Sequence, residues 1–337
     1  MKSVSTPAGT GVGTTPRKLK HVRKRESMMY TGERPWHGLG TPLDHPATAE
    51  EAIRAAKLDW RVDLVPAYAQ GQVIPRTRAV VRDDRREPIA VVGERYEPVQ
   101  NAEAFTFFDE IVGAGMAIYQ TAGSLDHGRR IWLLAKVPGD IWVTQSDQVG
   151  KHLLLTNSHD GGSPLRVLFT PIRVVCQNTL MAALEGAGRN GVSIRHVGDV
   201  LEKAKEAQKI LGISIKYFDD FEGQARAFAR RSVSSEALAL YFKSLVPDPM
   251  EGDPSRAIAT RESLLRLFEA GKGNALPGVK GSLWAAVNAV TEYVDYERPT
   301  RRSNGSSQEE KRFASAIFGS GASLKEQAWS RALTLVS

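Results

Sequence analysis

The chain has 337 residues, 42% of them hydrophobic and 25% charged, with 45 Lys and Arg against 38 Asp and Glu for a formal net charge of +7. No stretch approaches the roughly 20 consecutive apolar residues of a membrane helix, the first 27 residues lack the apolar segment of a secretory signal, and the single cysteine, Cys176, excludes an internal disulfide framework and a thiolate-rich zinc site. This reads as a soluble, cytoplasmic, globular chain long enough for two domains.

The positive charge is concentrated at the start. Residues 1–27 hold seven Lys and Arg against Glu26 alone, a net +6, so the other 310 residues carry only +1. This segment is poor in apolar side chains and is expected to be a disordered basic tail. It ends at Met28-Met29, so two origins stand side by side: a basic arm for phosphates, or a start codon placed too far upstream.

From Tyr30 the chain is turn-rich, and Thr48, followed by Glu50 and Glu51, caps a short helix. Residues 59–70 read as extended, and strands at 77–82 and 88–93 flank the charged turn 83–87. Asn101 is the expected cap of a helix on which Phe105, Phe108, Ile111 and Val112 recur at helical spacing. Strands at 117–125 and 129–137 follow, then strands at 151–157 and 164–170, with Pro171 expected to end or bulge the last. A helix is predicted over 174–185, followed by a glycine-rich loop to Gly191 that closes the strand content. Helical spacing then marks 197–211, 215–231, 234–245, 257–270, 281–297 and 322–336, with a mobile polar loop at 299–309. The fold class is therefore α+β: an antiparallel sheet of hairpins with packed helices over 28–191, then an all-helical half over 192–337.

Few residues carry a chemical signal. The run Asn157-Ser158-His159-Asp160-Gly161 admits a metal or acid/base reading, because a carboxylate beside an imidazole orients it. The plainer reading is an Asx turn shaped by Asp160-Gly161 with His159 facing solvent, and it is preferred for want of a second ligand at a recognised spacing. Arg166 is in strand phase with Leu168, and a bulge at Pro171 would bring Arg173 onto the same surface. Arg129, Arg130 and Lys151 lie on neighbouring predicted strands, so these five form a candidate phosphate-binding set. Paired structural arginines are the alternative. Cys176 between valines and Gln177 reads as a small buried hydrophobe. Asn288, Tyr293 and Asp295 share a helix with a polar face, and Gly319-Ser320-Gly321 before a helix can offer N–H groups to an anion or be a simple cap. No nucleophile elbow, zincin, Walker or Rossmann signature is present. No catalytic residue, metal or cofactor is assigned.

At several of these places the chain resembles the phage/plasmid-like protein family, a domain-of-unknown-function family of bacteriophages, plasmids and actinobacteria. The resemblance covers about residue 30 to 337. It rests on Pro35-Trp36-His37-Gly38-Leu39-Gly40-Thr41, Tyr96-Glu97-Pro98-Val99-Gln100-Asn101, the Thr156-to-Gly161 run, Val174-Val175-Cys176-Gln177-Asn178-Thr179-Leu180, Asn288-to-Asp295 and Phe318-to-Ala322. Residues 1–27 precede the point where the family begins. The motif residues Asn157, His159, Asp160, Asn178, Asn288, Tyr293 and Asp295 thereby become candidates for function. The setting, with a basic β-sheet backed by a helix, is similar to that of single-strand annealing recombinases. The expectation is a phage-type DNA-metabolism protein that binds single-stranded DNA as a homo-oligomer, with single-strand annealing or recombination as its role. A metal-dependent nuclease or phosphoesterase using His159 and Asp160, and a non-catalytic phage-host interaction protein, are the alternatives.

Overall fold

Period-two alternation in the first half and 3.6-residue spacing in the second divide the fold as expected. The computed structural model describes residues 28–32, 40–112, 118–180, 191–194, 200–300 and 307–336. Mostly antiparallel strands fill its N-terminal half and helices its C-terminal half. The basic segment 1–27, most of the Trp36 motif, the 181–190 part of the predicted helix and loop, and residues 301–306 of the polar stretch lie outside the described residues.

Strands β1 (Met28–Thr31) and β2 (Thr41–Leu43) precede helix α1 (Ala49–Ala55). Thr48 caps α1 as expected: its hydroxyl accepts the Glu51 N–H at 3.3 Å, and the Glu51 carboxylate accepts the Thr48 N–H at 2.9 Å. This box satisfies two N–H groups that the helix start leaves open. Strands β3 (Val62–Ala69), β4 (Gln72–Arg82) and β5 (Pro88–Gly93) make a separate three-stranded antiparallel sheet. Helix α2 (Asn101–Val112) follows.

The main sheet gathers β6 (Ile118–Leu125), β7 (Arg130–Lys136), β8 (Ile141–Thr144), β9 (Asp147–Ser158), β10 (Leu165–Arg173), β11 (Asn178–Thr179) and β12 (Gly191–Ile194) with β1 and β2. Its order is β11-β10-β9-β7-β6-β1-β2, with β12 also on β10 and β8 also on β9, and among the described residues only β1–β2 is parallel. Because side chains alternate along a strand, β9 and β10 send Val149, Leu153, Leu155, Val167 and Phe169 into the principal core, which also holds the apolar faces of the helices. Leu154 and Leu168 point the other way, with Trp132, Met28 and Leu125.

The second half comprises α3 (Val200–Arg230), α4 (Ser235–Leu245), α5 (Ser255–Ala270), α6 (Leu283–Glu292) continued by a π turn (Tyr293–Glu297), α7 (Gln308–Phe318) and α8 (Ser320–Leu333). Trp329 of α8 stacks on Phe221 of α3 at 4.9 Å and meets Trp284 of α6 edge-on at 6.1 Å.

Several expectations are corrected. Residues 174–177 are a turn rather than the start of a helix: the Gln177 N–H returns to the Arg173 carbonyl at 2.8 Å, Gln177 has φ +58°, and Asn178–Thr179 then pairs with β10. The strand content does not close at Gly191: β12 begins there and pairs with β10. Pro171 neither ends nor bulges β10. Its carbonyl accepts from Leu180 on the β11 side, so the position of its missing N–H faces that short edge and the β9 ladder is unbroken. The two helices predicted at 197–211 and 215–231 are one, because Ile210, Tyr217, Phe221, Ala225 and Phe228 form a continuous buried stripe across Gly212. That burial outweighs the roughly 1 kcal/mol helix penalty of a glycine. Residues 308 and 309 belong to α7, capped by Ser307 and Glu310, rather than to a loop.

Candidate functional site

The predicted polar cluster around His159 is interior. His159 is fully buried, not solvent-facing as the turn reading has it. Its Nε2 bonds the Asn101 Oδ1 at 2.9 Å, and its ring meets Trp60 edge-on at 5.3 Å. Asn101, expected as a cap, instead donates to the carbonyls of Leu58 and Trp60 at 2.9 and 3.2 Å. Asn157 donates to the Val99 carbonyl at 3.1 Å. Burial, followed by the nearby Arg82 charge, pushes the His159 pKa down to about 4. Asp160 does shape the turn: it accepts from the Ser158 hydroxyl and, at 2.9 Å, from the Gly162 N–H. Burial works to raise its pKa, but those bonds and the Arg130 and Arg129 charges hold it below the usual carboxylate range. These residues therefore pin α2 and the 58–60 segment to the end of β9. Among the described residues no three of His, Cys, Asp and Glu are grouped so as to hold a metal ion.

The five candidate basic residues separate. Arg173 is fully buried: its Nε donates to Asp147 at 2.9 Å, its Nη1 to Asn274 Oδ1 and the Lys272 carbonyl at 3.0 Å, and its Nη2 to the Gly273 carbonyl at 2.8 Å. Trp284 Nε1 completes the Asp147 carboxylate at 2.7 Å. Arg173 thus joins the sheet to the loop before α6, and does not share a surface with Arg166. Lys151 lies on the helix-covered face, 5.8 Å from the Phe218 ring, and Arg129 is exposed with its Nε on the Ile89 carbonyl at 2.9 Å. Only Arg130 and Arg166 occupy the opposite face of the main sheet, in register with Ser158 and Thr156.

The C-terminal motif residues also face inward. Asp295 accepts from the Thr179 N–H at 2.9 Å and from the Lys325 ammonium, which donates as well to the Thr179 carbonyl at 2.9 Å. Burial raises the Asp295 pKa and lowers that of Lys325, each opposed by the other's charge. Tyr293 OH lies 3.4 Å from the Thr260 hydroxyl. Asn288 donates to the Trp284 carbonyl at 2.8 Å, while its Oδ1 and the whole amide of buried Asn178 lack a hydrogen-bond partner among the described residues. Cys176 is buried and its thiol is pushed up to about 12 by desolvation, as a structural residue would be.

What sequence reasoning missed is a cavity on the Arg130 and Arg166 face. It measures about 200 Å³, and Phe313 and Ile317 of α7 half-cover it. Trp132, 4.6 Å from Phe313, and Leu154 form its apolar wall, and Gln120, Lys136, His152, Thr170 and Thr179 its polar one. His152 sits at the centre, with Nε2 2.8 Å from Gln120 Oε1 and Nδ1 3.1 Å from the Gly150 carbonyl. Burial pushes its pKa down to about 4, and Lys136 acts in the same direction. The imidazole is therefore neutral near pH 7 and offers hydrogen bonds without charge. Lys136 is shared with Asp140 at 3.1 Å. The shared strand phase of Arg130, Trp132, Leu134 and Lys136 was the available signal.

The molecule is thus a mixed α+β protein with a half-covered polar cavity on one face of a sheet that has nine strands among the described residues. No curated protein and no solved structure matches the chain. The chain belongs to a family described as a domain of unknown function (DUF932), which matches residues 88–317 and so spans most of the main sheet and most of the helices. Among the described residues no helix is long and apolar enough to cross a membrane.

Proposed function

We propose that the protein binds single-stranded DNA along the Arg130 and Arg166 face of the main sheet, beside helix α7, with one base admitted to the His152 cavity. One observation carries this reading. Arg130, Arg166 and Lys136 share a face with a cavity that has an aromatic wall and an amide, an imidazole and hydroxyls for base edges. Its volume of about 200 Å³ exceeds the roughly 150 Å³ that suffices for a six-membered ring. Arg130 and Lys136 are six residues apart on one strand, about 20 Å, so they bracket the cavity along a backbone path. Cations that track phosphates beside ring-accepting sites are the usual means of holding a single strand. The phage setting, homo-oligomeric assembly and a role in annealing belong to the same proposal and rest on the motif resemblance. The hydrolase alternative gathers no comparable support, since Asp160 is committed to its turn and His159 to Asn101.

Anisotropy of a labelled oligothymidylate tests the reading. Binding should fall steeply between about 50 and 200 mM salt. Arg166→Glu and Lys136→Glu should each weaken it about tenfold and reduce the salt slope by about one. Deleting residues 1–27 should leave these effects in place. Salt-insensitive binding, or binding that disappears entirely with the tail, would refute it.

A further inference from the structure

A second recess lies in the helical half, away from the sheet face. The chain after α4, the first turn of α5, the π turn and the start of α8 line an open recess of about 600 Å³, with half-buried Arg298 and exposed Arg256 beside Asp248, Thr260, Tyr293 and Ser320. Its charges are unbalanced in a specific way. Asp248 is taken by Arg261 at 2.6 Å and Lys243 at 3.6 Å. Asp253 is taken by the Ser255 N–H at 3.0 Å and hydroxyl at 2.5 Å. Arg256 and Arg298 have no ion pair among the described residues, and the Arg298 Nη1 is buried with no hydrogen-bond acceptor among them. Burial lowers the Arg298 pKa, Tyr293 opposes the shift and the Arg256 charge adds to it, so an anion seated between the two guanidiniums would favour both cations. Ser320 opens α8 at the edge of the recess; the Gly321 N–H is taken by the Ser315 hydroxyl at 3.2 Å, and the positive end of the helix dipole adds to the same recess.

We propose that this recess is a phosphate site, with Arg256 and Arg298 clamping the phosphate of a phosphate monoester and the Tyr293 hydroxyl and the α8 start completing the donor set. Planar guanidinium forks match phosphate oxygens in pairs, and a doubly charged monoester answers two unpaired cations better than a carboxylate does. The recess has room for a sugar or base beyond the phosphate. The ligand is therefore a nucleoside monophosphate or the 5′-phosphorylated end of a nucleic-acid strand.

Calorimetry on the full chain with inorganic phosphate, a nucleoside 5′-monophosphate, and paired 5′-phosphorylated and 5′-hydroxyl oligonucleotides tests the assignment. Arg256→Gln and Arg298→Gln should each weaken nucleotide binding about tenfold. Ser320→Asp should raise the melting temperature through the helix dipole and yet abolish binding by repulsion, which separates a ligand site from a folding defect. Inorganic phosphate and the free nucleotide are too small to span the sheet face, so their binding stands or falls separately from the sheet-face reading. A 5′-phosphate advantage that Arg298→Gln removes assigns the strand end, and equal oligonucleotide binding beside nucleotide binding assigns the free nucleotide. No binding of phosphate or nucleotide up to about 10 mM, or unchanged nucleotide affinity in a folded Arg256→Gln/Arg298→Gln variant, overturns the proposal.

Discussion

Replacing Asp147 by asparagine changes one charge at the junction between sheet and helices. Both Asp147 and Arg173 have no solvent exposure, so the guanidinium left behind has no water to turn to. Three acceptors remain, the Lys272 and Gly273 carbonyls and Asn274 Oδ1, but these are dipoles and do not neutralise its charge. Breaking a buried pair from one side costs about 3–5 kcal/mol. Disturbing the 2.7 Å bond from Trp284 adds about 1 kcal/mol. Against a total stability of about 5–15 kcal/mol, the loss is about a quarter or more. Equilibrium unfolding in urea, followed by tryptophan fluorescence, should show a much lower midpoint at unchanged slope. An Asp147→Leu/Arg173→Met double variant should lose less than Asp147→Asn alone, since it removes the stranded charge. A loss below about 1 kcal/mol for Asp147→Asn, or simple additivity in the double variant, would refute the reasoning.

Gly273 supports the same junction: it has φ +77°, and an added Cβ would lie 2.4 Å from Val175 Cγ1 and 2.9 Å from Arg173 Nη2. Gly273→Ala should therefore destabilise by about 2 kcal/mol or more in the same titration, and a neutral result would contradict the packing described. Phe313→Ala should cost about 3 kcal/mol and expose the His152 cavity, seen as a red shift of Trp132 emission; unaltered fluorescence would place α7 elsewhere. The folded pKa of both His152 and His159 is pushed to about 4, below the ordinary 6.5. The unfolded chain then binds more protons between these values. Stability is complete above pH 6.5 and falls as pH drops toward 4. A His152→Gln variant should flatten that slope by about 1.4 kcal/mol per pH unit, and a parent profile already flat across this window would refute the burial of these rings.

Local patterns carried much of the architecture. Alternation placed β4 through β7, and the Thr48 box and the Asn101 segment marked their helices. Failures arose where distant partners decide. Val174 and Val175 are 40% and 45% exposed despite their helix-like apolar run, because Arg173 is anchored to residues about a hundred positions onward and the chain must turn there. Helix α7 opens with Gln308-Glu309-Glu310-Lys311-Arg312, a polar run that resembles a loop until Phe313, Ala316 and Ile317 are seen packed on the sheet. His159 and Arg173 looked like surface chemistry because sequence shows a polar side chain but not the acceptors that satisfy it. The cavity residues were spread over β6, β7, β9, β10 and β11, so only strand register brings them together.

The ammonium of Lys325 reaches back 146 residues to Thr179, and that reach sets an order in time. A ribosome that has completed every strand of the sheet has still to make the helix that satisfies the strand's last polar groups. Until α8 emerges, Asp295 and Thr179 must stay hydrated, so this edge of the sheet cannot dry and close. Non-local closure of this kind makes folding slow. The final step should therefore wait for α8, with the β11 edge available to chaperones, or to a neighbouring nascent chain, until that helix is made.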